Sequence, residues 1–293
     1  LTRCCCCVGR SHPVAKRGRV ARRAGEFHLS TQSSSESTSP PDALKEYEAW
    51  GSQTYQWFPR IGAQSEAWES QADELFFGGK AGAGKSDLLV GLGLTKHRKT
   101  LFLRREATQL QEVTSRVHEL LRDGDRWKFI GYGGLLTTSD GRTIEFAGCK
   151  DEGDKQKYKG RAHDLKAWDE VVDFPESVYT FVNGWNRTTV PGQRCRVVSA
   201  SNPPTTAEGE WVIRRWAPWL DPACGNRAAP AELRYYTTIG DKEQEFPDAT
   251  PVEFKGRTHI PRSRTFIPGE MLDILVATGY QNTLATLPEP LRS

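Results

Sequence analysis

A glycine-rich segment that closes on a lysine and a serine is the stretch of this sequence best suited to chemistry. Residues 79–86 read GKAGAGKS and fit the pattern G-x-x-x-x-G-K-[S/T]. In this pattern backbone N–H groups hold the phosphates of a nucleotide, the lysine reaches the β- and γ-phosphates, and the hydroxyl binds Mg²⁺. The sequence therefore predicts a site for ATP and Mg²⁺, formed by Gly79, Lys80, Ala81, Gly82, Ala83, Gly84, Lys85 and Ser86, in which Lys85 is also catalytic and Ser86 is a metal ligand. The alternative is a flexible glycine loop, but the apolar strand before it and the apolar helix after it favour the nucleotide site.

Two further strand ends carry residues that complete such a site. The segment 165–171 reads LKAWDEV, a mostly apolar strand that ends in two carboxylates. Asp169 is predicted to hold Mg²⁺, through water or Ser86, and Glu170 to act as the general base on the attacking water. A strand over 194–204 ends in Ser201 and Asn202, and Asn202 or Ser201 is placed to sense the γ-phosphate and couple hydrolysis to motion. The alternatives are a solvated strand end for the acidic pair and an ordinary strand-to-turn junction for the second strand.

An aromatic-rich segment over 55–68 precedes the glycine loop. Gln64 is predicted to read the adenine edge through its amide, with Trp57 or Phe58 as a stacking face. These aromatic side chains are equally compatible with an ordinary hydrophobic core.

The elements that must position these residues alternate between strand and helix. Strands are predicted over 75–77, 100–105, 165–171 and 194–204. Helices are predicted after the glycine loop, over 108–123 and near 270–277, and a hairpin over 135–146. Residues 150–162 are too charged for a core and are expected as a loop over the nucleotide face, and short strands are expected over 233–238 and 263–268. This order predicts an α/β fold, a three-layer P-loop NTPase domain of the additional-strand class with a mostly parallel central sheet, whose ligand binds at the carboxyl ends of the strands.

The charge of the 293-residue chain is unevenly distributed. Residues 1–30 hold seven Lys and Arg against one acid, so 33 basic and 36 acidic residues remain beyond them. The slightly acidic body gives no argument from bulk charge for nucleic-acid binding. Residues 1–45 are basic and then Ser-rich, which predicts a disordered tail. A short helix is expected over 43–50, the ATPase core over 46–230, and the C-terminal part of the ATPase region, leading toward an absent nuclease domain, over 231–293.

The cysteines and the hydropathy pattern indicate neither a disulfide framework nor a membrane span. Four cysteines form the run 4–7, which reads as an unstructured leader or as a palmitoylation or metal tract, and the other three are far apart. The sequence contains no apolar stretch of about 18 residues. A reducing cytoplasm is the expected compartment.

With these motifs in view, residues 50–293 resemble the ATPase half of the large subunit of tailed-bacteriophage terminases. The resemblance rests on a Gln-containing segment ahead of the glycine loop, on the loop itself, and on KGR at 159–161, Ser-Asn-Pro at 201–203, Gly-x-Trp at 209–211, TFIP at 265–268, Gly279-Tyr280 and LPEPLRS at 287–293. It implies ATP-driven translocation of double-stranded viral DNA into a procapsid in the host cytoplasm. It also implies a terminase small subunit and a portal ring as partners, a homo-oligomer on the portal, and a nuclease in a region that follows this chain, so no nuclease activity is expected here.

The chain departs from that family at one position. Many members place an arginine where this sequence has Ala81, and in that position the arginine can act on the γ-phosphate. The cation with this role is left open among Lys80, Arg104, Arg105, Arg214 and Arg215. Two other functions also stay open: another DNA-stimulated ATPase or helicase, and a prophage remnant that binds nucleotide without catalysis.

Overall fold

The computed structural model describes residues 57–271, together with 279, 282 and 284–286. The tail predicted over 1–45, the helix predicted over 43–50 and nearly all of the helix predicted over 270–277 lie outside the described residues.

A ten-stranded sheet forms the centre of the described part, in the order β3-β4-β5-β2-β6-β7-β1-β12-β8-β9. Its strands are β1 (Glu74–Gly79), β2 (Lys99–Arg104), β3 (Arg126–Ile130), β4 (Gly133–Thr137), β5 (Thr143–Gly148), β6 (Leu165–Asp169), β7 (Arg196–Ser201), β8 (Arg234–Ile239), β9 (Lys242–Phe246) and β12 (Arg262–Gly269). The six central strands from β5 to β12 are parallel, and two antiparallel strands extend the sheet on each side. A small separate hairpin consists of β10 (Val252–Phe254) and β11 (Arg257–His259).

The position of β7 confirms the fold class. This strand lies between β1, which leads into the glycine loop, and β6, which ends in Asp169. An extra parallel strand between those two is the mark of the additional-strand P-loop class predicted from the sequence. The strands from 231 onward join the same sheet through the parallel pairing of β12 with β1.

Helices cover both faces of this sheet, which gives the three layers. The helices are α1 (Ala63–Glu69), α2 (Lys85–Thr95), α3 (Leu110–Glu119), α4 (Glu176–Asn183), α5 (Glu210–Arg215) and α6 (Ala217–Leu220). On one face, α2 and α3 bury a core that includes Leu88, Leu92 and Phe102. On the other face, α4 to α6 bury an aromatic core that includes Trp168 and Tyr179. The continuous apolar runs of the central strands reflect burial on both faces.

Two expectations about loops have different outcomes. The hairpin is confirmed as β4 and β5, joined by a turn in which Thr138 N donates to Arg142 O at 2.9 Å. The segment 150–162 is not in the wall of the cavity beside the glycine loop. The Tyr158 hydroxyl donates to Gly148 O, and the Ser177 hydroxyl on α4 donates to Glu152, so this segment is held on the α4 face of the sheet.

None of the described helices is both long enough and apolar enough to cross a bilayer.

Candidate nucleotide site

The glycine loop takes the conformation that phosphate binding requires. It leaves β1 at Gly79, whose φ is 130°, and enters α2 after Gly84, whose φ is 70°. L-residues with side chains rarely adopt these angles. A Cβ at Gly79 would also lie 2.8 Å from the carbonyl oxygen of Gly269, so both the backbone angle and the neighbouring strand require glycine there. The loop ends on the N-terminus of α2, where free N–H groups and the helix dipole favour an anion.

Lys85 is buried and points back into the loop. Its Nζ donates to Asn202 Oδ1 at 2.6 Å and to the carbonyl oxygen of Lys80 at 2.8 Å. Burial lowers the pKa of Lys85, while the negative charges of Glu170 and Asp169 act in the opposite direction. The side chain that is predicted to reach the β- and γ-phosphates is therefore in direct contact with the predicted sensor at the end of β7.

Ser86 and Asp169 meet at the predicted metal position. The Ser86 hydroxyl lies 2.9 Å and 3.0 Å from the two carboxylate oxygens of Asp169. Arg104, at the end of β2, donates from Nε to Asp169 Oδ2 at 2.7 Å. Burial raises the pKa of Asp169 to about 6 and the charge of Glu170 adds to the rise, while Arg104 and Ser86 act against it.

Glu170 is held in an unusual backbone conformation beside this pair. Its φ is 53°, in the left-handed region that is sparsely populated by residues other than glycine. The Ser201 hydroxyl donates to Glu170 Oε2 at 2.9 Å, so β7 restrains the carboxylate while the residue lines the cavity. Strained positions of this kind cluster at functional sites, where the surrounding structure determines them.

The residues present fit Mg²⁺. This ion prefers oxygen ligands and is commonly held by one or two carboxylates together with substrate phosphates, which matches a Ser86 hydroxyl beside the Asp169 carboxylate. Across the described residues there is no group of three or more His, Cys, Asp or Glu side chains that could hold a metal without such help.

A cavity of about 560 Å³ lies over the glycine loop. Residues 81–87 form its floor, and Arg104, Glu170 and Asn202 form one side. The other side consists of residues that the sequence did not single out, namely Arg60, Val90, Glu112, Val113 and Arg116. The alternation of apolar and charged residues on α3 indicated an amphipathic helix but gave no signal of what its charged face would border.

Gln64 and Trp57 of the upstream segment contact the glycine loop and α2, respectively. Gln64 is buried and lies outside the cavity wall; its Nε2 donates to Gly84 O at 2.9 Å and its Oε1 accepts from Arg60 N at 2.6 Å. Trp57 is buried against Gly91, and its Nε1 donates to Asp87 Oδ2 at 2.7 Å. Phe58 is exposed and does not line the cavity.

The five candidate cations occupy different places. Among them only Arg104 lines the cavity. Arg105 donates to Glu208 at 2.7 Å, and Arg214 lies 3.4 Å from Glu176 on the surface. Lys80 is exposed and contributes its carbonyl oxygen to Lys85.

Arg215 does not line the cavity and lies at the opposite edge of the sheet, where the strands begin. Its guanidinium pairs with Glu74 at the start of β1, with Nη2 2.9 Å from Oε2, and Arg264 binds the same carboxylate at 2.9 Å. Burial alone would raise the pKa of Glu74, but the charges of Arg215 and Arg264 and hydrogen bonds from Arg215 and Tyr179 hold it well below its usual value.

Solved structures of phage packaging proteins are similar to this chain at low identity. The large terminase of a thermophilic bacteriophage aligns at 22% identity with a TM-score of 0.39, covering 50% of this chain and 40% of that one. The same terminase in complex with ADP aligns at 19% identity with a TM-score of 0.36, covering 50% of this chain and 38% of that one. The bacteriophage Phi-29 genome packaging motor assembly aligns at 13% identity with a TM-score of 0.38, covering 66% of this chain and 58% of that one. This chain thus spans less than two thirds of each of these solved chains. No family model and no curated protein matches it.

Proposed function

We propose that this chain is the ATP-hydrolysing motor domain of a terminase large subunit, which couples ATP hydrolysis to the translocation of double-stranded viral DNA into a procapsid. The observation that carries the proposal is the convergence of the ends of β6 and β7 on the glycine loop that follows β1. Lys85 contacts Asn202, Ser86 contacts Asp169, and Glu170 lies beside them at the cavity. The motifs that the sequence shares with terminases give the DNA-packaging part of the proposal.

Binding of ATP begins with the loop and Lys85. Backbone N–H groups of residues 81–86 bind the phosphate oxygens, and Lys85 exchanges its contact with Asn202 for charge-assisted hydrogen bonds to the β- and γ-phosphates. Ser86 and Asp169 would hold Mg²⁺, which neutralises phosphate charge when bound. Arg104 orients the Asp169 carboxylate from the other side.

Hydrolysis then depends on the Glu170 carboxylate. It accepts a proton from the attacking water while the water oxygen bonds to the γ-phosphorus and the bond to the β-γ bridging oxygen breaks, which yields ADP and phosphate. The Ser201 hydroxyl holds this carboxylate at the end of β7. Since Asn202 follows Ser201, the loss of the γ-phosphate is transmitted to β7 through Lys85 and Asn202.

The proposed partners are those of a packaging motor. They are double-stranded DNA, a terminase small subunit, the portal ring and further copies of this chain assembled on the portal, in the host cytoplasm. The proposed activity of this chain itself is ATP hydrolysis.

The test is steady-state ATP hydrolysis with Mg²⁺, with and without duplex DNA, by the wild type, Lys85→Ala and Lys242→Ala. Lys242 is exposed on β9, so its substitution is a matched control for the loss of one lysine. Lys85→Ala is expected to lose all measurable turnover and to bind ATP at least about tenfold more weakly, because a charge-assisted contact disappears. Wild-type turnover by Lys85→Ala, or no nucleotide binding by the wild type, would refute the proposal.

A further inference from the structure

A row of exposed cations lies on the edge of the sheet opposite the nucleotide cavity. The cavity is at the carboxyl ends of the parallel strands, so the residues that precede these strands lie at the other edge. Lys96, Arg98 and Lys99 lead into β2, Arg187 lies in the loop before β7, and Arg262 opens β12. All five are exposed, and together they are called the basic edge below.

Hydrogen bonds between the loops make the basic edge one surface. Gln193 Nε2, in the loop that contains Arg187, donates to the carbonyl oxygen of Lys96 at 3.1 Å. Arg262 reaches the same loop, with Nη2 3.4 Å from Cys195 O. Segments that are far apart in the sequence are therefore held side by side by the sheet.

The side chains of the basic edge form no direct ion pairs with the carboxylates near them. No carboxylate of the described residues lies within ion-pair distance of any of its five cations. Asp140 and Glu145 pair with Arg142 and Arg161. Asp164 accepts hydrogen bonds from the backbone N–H groups of Arg98 and Lys99, and Glu69 acts electrostatically on Lys96, so these two carboxylates offset part of the positive charge. Clustered like charges repel one another, and in a chain whose body has slightly more acids than bases this concentration at one edge indicates an anionic partner.

The dimensions of the basic edge suit a polymer of phosphates. It extends from β2 across β6, β7 and β1 to β12. With neighbouring strands about 4.8 Å apart, four spacings give roughly 19 Å. Duplex DNA carries one charge per about 1.7 Å of its axis, so a duplex laid along this row presents phosphates over its whole length. A single small anion would contact only one or two of the cations.

The aromatic rings beside this row are covered by its cations. Lys96 Nζ lies 3.6 Å from the ring centroid of Trp68, and the Arg187 guanidinium lies 5.3 Å from that of Trp185. Proteins that bind single strands stack unpaired bases on open aromatic faces. The cations over these two rings favour backbone contact with paired DNA instead.

We propose that the basic edge binds the phosphate backbone of double-stranded DNA, on the side of the sheet opposite the nucleotide. This inference rests on the proposed function. It assigns the DNA-contacting residues of the motor, and it means that nucleotide and DNA occupy the two ends of the same parallel strands.

The test measures binding of a fluorescent duplex of about 30 base pairs by anisotropy, between about 50 and 200 mM salt. The edge variant carries Arg98→Gln, Lys99→Gln and Arg187→Gln. The control variant carries Arg126→Gln, Lys128→Gln and Lys242→Gln, which removes the same charge from the exposed outer strands β3 and β9. Circular dichroism and DNA-independent ATP hydrolysis check that both variants fold. Lys99→Gln alone is a milder variant, because no hydrogen bond or ion pair to the Lys99 side chain occurs among the described residues.

The edge variant is expected to bind the duplex at least about tenfold more weakly at fixed salt, and its slope of log K against log salt falls by about 2.7, or 0.9 for each lost phosphate contact. Lys99→Gln alone lowers the slope by about 0.9. The control variant and the DNA-independent ATPase stay at wild-type values.

Four results would overturn the assignment. One is equal weakening in both variants, which would mean that overall charge alone controls binding. Another is wild-type affinity in the edge variant. A third is no duplex binding by a wild type that hydrolyses ATP. The fourth is displacement of the duplex by polyglutamate at equal charge concentration, which would point to an acidic protein partner instead. A wild type that neither binds nor hydrolyses ATP would refute the proposed function. The measurement of ATP hydrolysis detects this outcome independently of duplex binding.

Discussion

At the scale of single residues, Asp169 and Glu170 are adjacent but differ in their partners. Asp169 is buried between Ser86 and Arg104, whereas Glu170 faces the cavity and accepts a hydrogen bond from Ser201. Glu170→Gln is expected to keep Mg·ATP affinity within about threefold and to lose at least about a hundredfold in kcat, because an amide of the same size cannot accept the proton. Asp169→Asn should weaken Mg²⁺-dependent binding instead.

These two roles are separated by isothermal titration with ATP, with and without Mg²⁺, alongside single-turnover hydrolysis. Glu170→Gln that no longer binds ATP, together with Asp169→Asn that still hydrolyses it, would reverse the assignment.

Gln64 distinguishes two interpretations of the upstream segment. Its side-chain Oε1 accepts a hydrogen bond from Arg60 N and its Nε2 donates one to Gly84 O. These contacts indicate that Gln64 stabilises the conformation of the glycine loop. Gln64→Ala is therefore expected to weaken ATP and GTP binding by a similar factor of about 3 to 10, since a net hydrogen bond contributes about 1 kcal/mol. Competition between the two nucleotides is the measurement. A selective loss of ATP binding would support the adenine-reading role predicted from the sequence.

At the scale of elements, β6 carries a lysine with no access to solvent. Lys166 Nζ contacts His163 Nδ1 at 2.9 Å. Burial and the charges of Arg161 and Arg187 lower the pKa of Lys166 from 10.5 to about 7, while the charge of Glu145 acts in the opposite direction. A base whose pKa is lowered by folding destabilises the folded state fully below its folded pKa, and this cost disappears as pH rises toward the unfolded value. The window is therefore from about pH 7 to 10.5.

Lys166→Met removes this titration. Between about pH 7 and 9 the unfolding free energy of the wild type is expected to rise relative to that of the variant by on the order of 1–2 kcal/mol. Urea titrations at these pH values measure the difference. Lys242→Met, at an exposed position on β9, is the control and should show no such trend. A constant difference between wild type and Lys166→Met would show that Lys166 keeps its charge throughout.

At the scale of the whole molecule, the proposed ATP and DNA sites lie at opposite ends of one set of parallel strands. β7 begins at Arg196, beside the basic edge, and ends at Ser201, next to Asn202. Asn202 Oδ1 accepts a hydrogen bond from Lys85, and a γ-phosphate would compete for that ammonium. Binding at one end can therefore shift the other end through β7.

This arrangement predicts reciprocal coupling. A non-hydrolysable ATP analogue is expected to tighten duplex binding by a factor of about 5 or more, and duplex DNA must tighten analogue binding by the same factor. Asn202→Ala should still bind both ligands, but the factor by which each ligand tightens binding of the other should be close to one. Anisotropy for DNA and titration calorimetry for the analogue measure both directions. An unchanged factor in Asn202→Ala would exclude Asn202 from the coupling.

The sequence by itself determined the parts that depend on local order. The glycine pattern predicted the loop between β1 and α2, because left-handed angles and close backbone approach require glycine at given spacings. Hydrophobic periodicity predicted β2, β6 and the amphipathic helix α3, whose buried residues Leu110, Val113 and Val117 lie on one face. The turn chemistry predicted the hairpin of β4 and β5. Each of these signals lies within about a dozen neighbouring residues.

Only the tertiary structure decided which distant residues meet. From the sequence, Arg104 was a candidate for contact with the γ-phosphate, but in the structure it binds the Asp169 carboxylate. Arg215, another candidate, forms an ion pair with Glu74 at the opposite edge of the sheet. Gln64 lies behind the glycine loop instead of in the cavity. The basic edge is assembled from residues that lie between and after the nucleotide motifs, in a part of the sequence that is slightly acidic as a whole. Strand order and register set these contacts, and both depend on long-range pairing that no local pattern of residues encodes.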